Sequence, residues 1–304
     1  MMIKSILITG ANSGLGKESA RQLALKRGVE KIYLGCRNEA RALEAKKDLE
    51  KLTGKNVFDI LIMDTSNLTS VRNAVKKLPE PVEGLIMNAG GAVGKSFNDK
   101  TIDGVTEIFA ANVLGHVALA EELIKANKLT RVAVYAGSEA ARGVPEMGMK
   151  KPDLKTSSVE EFKTIIDGSF FGNNKDPMVP YGPIKLMAAL WMSSIARTHP
   201  SIRFVTMSPG GTTGTEGISA LPVVKRVVFK GMFKLMSALG KMHTVDVGAK
   251  RYVDGLLFDK YPSGSFYASK KGMSGAIATQ GSFFDVIDNH VVQDNATKAL
   301  QSYL

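Results

Sequence analysis

A chain of 304 residues with 44% apolar and 23% charged residues has the composition of a water-soluble globule with a substantial core. A single cysteine, Cys36, excludes an intrachain disulfide and suits a reducing, cytoplasmic compartment. The net charge of +11 is scattered except at Lys225, Arg226, Lys230, Lys234 and Lys241; with 7% aromatics and no zinc-finger or RNA-recognition signature, it fits an anionic cofactor better than nucleic acid.

The N-terminus enters an apolar strand-like run at once, Ile3 to Ile8, so no signal peptide is expected. No apolar run approaches the ~18 residues of a spanning helix. Strands are predicted at Lys4–Thr9, Lys31–Gly35, Val57–Met63, Gly84–Asn88, Arg131–Ala136 and Arg203–Met207. Helical patterns fall between them near 15–27, 39–52, 68–77, 104–127 and 182–198. This alternation implies an α/β fold: a Rossmann-like, doubly wound parallel sheet of about seven strands, helices on both faces, in one domain. Two segments break the rhythm. Residues 142–180 read as an insertion with one short helix near 158–166, and 212–243 as a lid mixing apolar and basic residues.

The first strand runs into "TGANSGLGK". Glycines at 10, 14 and 16 allow a tight turn and close backbone approach, and the helix that follows offers free N–H groups to a pyrophosphate. The turn residues Gly10, Asn12, Ser13, Gly14, Leu15 and Gly16 are therefore candidates for a dinucleotide cradle. An acidic residue at the end of the second strand would accept from a ribose hydroxyl; this chain has Cys36 and Arg37 there. A guanidinium suits a 2′-phosphate, so NADP(H) is favoured over NAD(H).

In "YGPIKLMAALWMSSIA" a tyrosine and a lysine, Tyr181 and Lys185, share one helix face. A phenol with pKa ~10 is a poor proton carrier near neutrality, and a neighbouring ammonium is expected to lower it. That makes the pair a candidate general acid/base for hydride transfer at an alcohol or carbonyl. Pro183 is expected in the first helical turn.

With these motifs in order, nearly the whole chain resembles the short-chain dehydrogenase/reductase family. Asn88-Ala89-Gly90, Asn112 in "FAANVLGH", Ser138 in "VYAGSEAA" and Pro209-Gly210 in "MSPGGTTGT" match its remaining motifs. The resemblance implies cofactor contacts at Asp64, Asn88, Gly90, Tyr181, Lys185, Pro209, Gly210 and Thr212. It makes Tyr181 the proton carrier, Ser138 the partner of the substrate oxygen and Lys185 the ribose ligand, with Asn112 holding a water. The plainer readings are a helix-bending polar residue for Asn112 and a strand-end cap for Ser138.

The 43-residue separation of Ser138 from Tyr181 and the long segment after Pro209-Gly210 resemble the retinol dehydrogenase and light-dependent protochlorophyllide reductase branch. Gly211 stands where the photoenzyme has cysteine, and Gly182-Pro183-Ile184 replaces its polar residues. Expectations are an NADP(H)-dependent oxidoreductase for a hydrophobic alcohol, aldehyde or ketone; reduction of a tetrapyrrole C=C bond and a non-catalytic NADP-binding sensor are the alternatives. Apolar and basic residues across 218–241 would line a substrate pocket or touch an anionic membrane surface. The resemblance also leaves a homodimer through the catalytic helix open. His116, His199, His243 and His290 lack metal-ligand spacing.

Overall fold

The computed structural model describes residues 2–91, 98–145, 148–174, 176, 178–213 and 242–304. The expected membrane-contact stretch and most of the expected lid lie outside these residues. Among them, no helix is long and apolar enough to cross a membrane.

An eight-stranded sheet runs in the order β3-β2-β1-β4-β5-β6-β7-β8. Its strands are β1 Ser5–Thr9, β2 Lys31–Cys36, β3 Phe58–Ile62, β4 Val82–Met87, β5 Leu129–Ala136, β6 Arg203–Met207, β7 Ser265–Ser269 and β8 Ile277–Thr279. Seven are parallel; β8 pairs antiparallel with β7 and adds one strand to the seven expected. The central strands are apolar along their length because both sheet faces are covered. In β1, Ile6, Leu7 and Ile8 are fully buried, and Ile8 lies between Leu34 and Ile86 in register. The strand order reverses between β1 and β4, which opens a crevice at their carboxyl ends.

One face carries α1 (Gly14–Ala24), α2 (Glu39–Thr53) and α8 (Val245–Leu257). The other carries α3 (Leu68–Lys77), α5 (Gly115–Lys125), α6 (Val159–Asp167), α7 (Met178–Thr198) and α9 (His290–Gln301). The helix expected over 104–127 is split. A short α4 (Glu107–Phe109) passes through a π-helical turn, Ala110–Leu114, before α5. The predicted insertion anchors to the core through α6, whose Phe162, Ile165 and Ile166 are fully buried, while most of its other described residues are exposed or half-buried.

Helix α7 begins at Met178, so Pro183 is its sixth residue and one backbone hydrogen bond is missing inside the helix, not at its first turn. From Gly182 to Ile195 every residue of α7 is buried. Helix α9 packs along it, with Ser194 Oγ donating to Asp294 at 2.7 Å and Arg197 paired with Asp294 and Gln293.

Candidate active site

At the switch point a cavity of about 510 Å³ runs from α2 to α7. It falls inside the range of roughly 300–1,000 Å³ for small-molecule and cofactor sites. Gly10, Asn12, Ser13, Gly14, Leu15, Arg37, Asp64, Asn88, Gly90, Pro209, Gly210 and Thr212 line it, and Ser138, Tyr181 and Lys185 form its inner end.

The cradle at β1–α1 is built by close approach. Gly10 adopts φ +65°, and a Cβ on Gly16 would come within 2.4 Å of the Gly10 carbonyl and 2.5 Å of Asn88 Nδ2. Gly16 is therefore buried beneath the turn and holds it down without facing the cavity. Asn88 Nδ2 donates to the carbonyls of Thr9 (2.9 Å) and Gly10 (3.3 Å), which ties β4 to the turn. Ser13 at the α1 N-terminus makes no side-chain cap, so the first-turn N–H groups remain for an anion. These features fit a dinucleotide pyrophosphate.

At the other end, the exposed Arg37 and Arg41 both line the cavity beside Asp64 and Thr65. Arg41 was not foreseen. It follows Arg37 by four residues in "CRNEARA", a spacing that brings it to the same end of α2. Asn38 caps that helix by accepting from Arg41 N at 3.0 Å.

Ser138 lies two residues beyond β5 and caps the 3₁₀ turn Glu139–Arg142, its Oγ accepting from Ala140 N at 3.2 Å. Its own proton is left for Tyr181, and that hydrogen bond favours the phenolate. Burial acts more strongly and in the opposite sense, pushing Tyr181 up to about 12. Lys185 is 4% exposed; its Nζ donates to the Ala136 carbonyl at 2.9 Å and lies 5.6 Å from the Tyr181 ring centroid. Burial drives the lysine down to about 7. The expected lowering of the phenol by the ammonium is thus reversed in the protein alone, because desolvation of both groups outweighs their attraction.

Residues 4–143 match the family model described as short chain dehydrogenase. Over 214 residues the chain is 31% identical to dehydrogenase/reductase SDR family member 12 of Bos taurus, covering 68% of this chain and 60% of that protein. The chain belongs to the short-chain dehydrogenase family. Over 125 residues it is 34% identical to human retinol dehydrogenase 11, covering 40% of this chain and 38% of that one. Its fold superposes on L-sorbose reductase from Gluconobacter frateurii, solved with NADPH and L-sorbose, at a TM-score of 0.65 and 17% identity, over 91% of this chain and 98% of that one.

Asn112 does not line the cavity with its side chain. Its side chain is 0% exposed and fully engaged: Oδ1 accepts from Gly91 N (2.9 Å), while Nδ2 donates to the carbonyls of Gly91 (3.0 Å) and Ile108 (2.8 Å). It clamps the Asn88–Gly91 turn from behind the cavity wall. A Cβ on Gly90 would meet Asn112 Oδ1 at 2.4 Å. The π-helical turn carries this residue inward, in keeping with its plainer reading as a helix-distorting polar side chain.

The short-chain dehydrogenase site also rests on buried polar groups that no motif marks. Glu139, 3% exposed, accepts from Ser208 Oγ at 2.5 Å and Ser269 N at 3.1 Å, and lies 3.9 Å from Arg251 Nη1. Ser208 Oγ in turn accepts from Gly210 N, so Glu139 fixes the Pro209-Gly210 turn against Ser138. His243 accepts from Arg251 at 2.9 Å, and its backbone pairs with Gly211 and Thr213. Thr213 and His243, described residues on either side of 214–241, therefore pair beside Thr212, which lines the cavity.

Proposed function

We propose that this chain is an NADP(H)-dependent reductase of a hydrophobic aldehyde or ketone, with Tyr181 as the proton donor. The observation that carries this reading is the convergence of Ser138, Tyr181 and Lys185 at the inner end of a cavity whose outer end is a Gly-rich cradle. Arg37 and Arg41 beside the cradle favour a 2′-phosphate over a bare hydroxyl. Bound in that cradle, a reduced nicotinamide dinucleotide supplies the hydride.

The residues divide the remaining work. A phenol pushed up to about 12 keeps its proton at neutral pH, which suits donation to a developing alkoxide and thus the reductive direction. Ser138, oriented by Ala140 N, offers its hydroxyl to the same oxygen. Lys185 places its ammonium 5.6 Å from the phenol ring and has a free donor for a ribose hydroxyl. An anionic ligand beside Lys185 would raise the fraction of charged ammonium and ease proton loss from Tyr181. The hydrophobic substrate class rests on the sequence between Thr213 and Met242, where Leu221, Val223, Phe229, Met232, Phe233 and Leu235 stand.

The test is a fluorescence titration with NADPH and NADH, then an aldehyde and ketone panel followed at the nicotinamide absorbance. Tighter NADPH binding with turnover of apolar carbonyls supports the reading; binding without turnover of any carbonyl or alcohol would favour a sensor.

A further inference from the structure

Behind Lys185 lies a second phenol that the roles above do not use. Tyr135 is 0% exposed, near the end of β5, and absent from the cavity lining. Its Oη lies 2.7 Å from the Asn112 carbonyl and 3.3 Å from Lys185 Nζ. A carbonyl has no proton to give, so the hydroxyl donates to Asn112 and turns a lone pair to the ammonium. The Asn112 carbonyl also faces His116 Nδ1 at 3.0 Å, and the His116 ring stands edge-on to Tyr135. The Tyr135 hydroxyl thus bridges the Asn112 carbonyl and Lys185 Nζ.

We propose that Tyr135 is a positioning residue for Lys185, holding the nitrogen between its own hydroxyl and the Ala136 carbonyl so that the buried group keeps more of its charge and stays aimed at the cavity. Among the described residues, no carboxylate lies within ion-pair distance of Lys185. The titratable groups that face it are Tyr181 on its own helix, Tyr135 from β5 and His116 from α5, with Tyr252 from α8 and Glu139 after β5 interacting with Tyr181 beyond them. Glu139 is engaged by Ser208, Ser269 and Arg251. Neutral oxygens alone therefore hold this cation, and removing one of two matters. The consequence for turnover rests on the reductase reading; the contact itself does not.

The experiment is an NMR titration of the labelled lysine ammonium in the full chain without cofactor, wild type against Tyr135→Phe, with Lys185 assigned by Lys185→Arg. Burial, which drives the lysine down to about 7, sets the midpoint expected for the wild type. Losing one hydrogen bond to a charged donor should move the midpoint down by about one pH unit. Phe keeps the ring and its packing. As a measurement independent of any fold change, the wild-type Tyr135 ring signals should inflect at the same pH as Lys185. A Y135F midpoint within about 0.2 unit of wild type, or a Tyr135 ring blind to that titration, would overturn the proposal. If the lysine shifts and no carbonyl is reduced, the positioning role stands and the reductase reading fails. Where turnover exists, its alkaline limb should move down with Lys185, since loss of the charged form ends activity.

Discussion

The buried pair Glu139–Arg251 offers the sharpest quantitative test of how the cavity floor is held. At 3.9 Å and an effective dielectric near 20, the two charges attract by about 4 kcal/mol. Both are nearly inaccessible, at 3% and 6% exposure, so solvent screening is small. Arg251 keeps other partners, Ser269 Oγ at 3.1 Å, the Gly275 carbonyl at 2.9 Å and His243, but none is an anion. Glu139→Ala leaves that guanidinium buried without its counter-charge, and Ser208 Oγ and Ser269 N lose their acceptor. The expected loss of unfolding free energy is about 3–5 kcal/mol. Glu139→Gln keeps shape and one acceptor and should lose roughly half as much. Urea unfolding of wild type, E139Q, R251M and the double variant closes a cycle, and its coupling should be about 2 kcal/mol. A loss below about 1 kcal/mol for E139A, or strict additivity in the cycle, would show that the pair is not what fixes the Pro209-Gly210 turn.

Three further perturbations probe separate parts of the site. Thr9 Oγ1 accepts from Asn88 N and Ala89 N, so its proton goes to His116 Nε2 and the imidazole must be neutral. Burial holds His116 down to about 4 against an ordinary 6.5, so the unfolded chain binds the extra proton first. Stability is then full above about 6.5 and falls as pH drops toward 4, by about 3 kcal/mol. Unfolding followed across that window should show the fall in wild type and a flatter profile in His116→Asn. Gly90→Ala sets a Cβ against Asn112 Oδ1 at φ +129°, and should weaken NADPH binding more than tenfold while lowering the melting temperature. Replacing Arg37 and Arg41 together by Ala should raise the NADPH Kd about tenfold and leave NADH within twofold; equal effects on both would remove the 2′-phosphate role.

The sequence made the opening of the site legible because its chemistry is local. A strand, a Gly-rich turn and a helix lie within twenty residues, and Tyr181 and Lys185 share one helical face. What escaped is what only tertiary contact creates. Asn112 is held behind the cavity wall by paired hydrogen bonds to Gly91, a contact between residues 21 apart with no spacing signature. Glu139 meets Arg251 from a part of the chain far away in sequence, with α6, α7 and β6 between them, and Tyr135 reaches Lys185 only because β5 and α7 pack together. The pKa directions of Tyr181 and Lys185 follow from the depth of that packing, which i and i+4 spacing does not encode. Beyond residue 207 no elements were anticipated, although β7 is as long as β1, β3 and β6 and the helices α8 and α9 have thirteen and twelve residues. Yet Asn289, which caps α9 by accepting from Val291 N and Val292 N, was a readable start signal.

Tyr181→Phe measured two ways tests the central claim most directly. The account predicts that NADPH binds with a Kd within about twofold of wild type while single-turnover carbonyl reduction falls at least a hundredfold. Retention of most of the wild-type rate by the phenylalanine variant would contradict it.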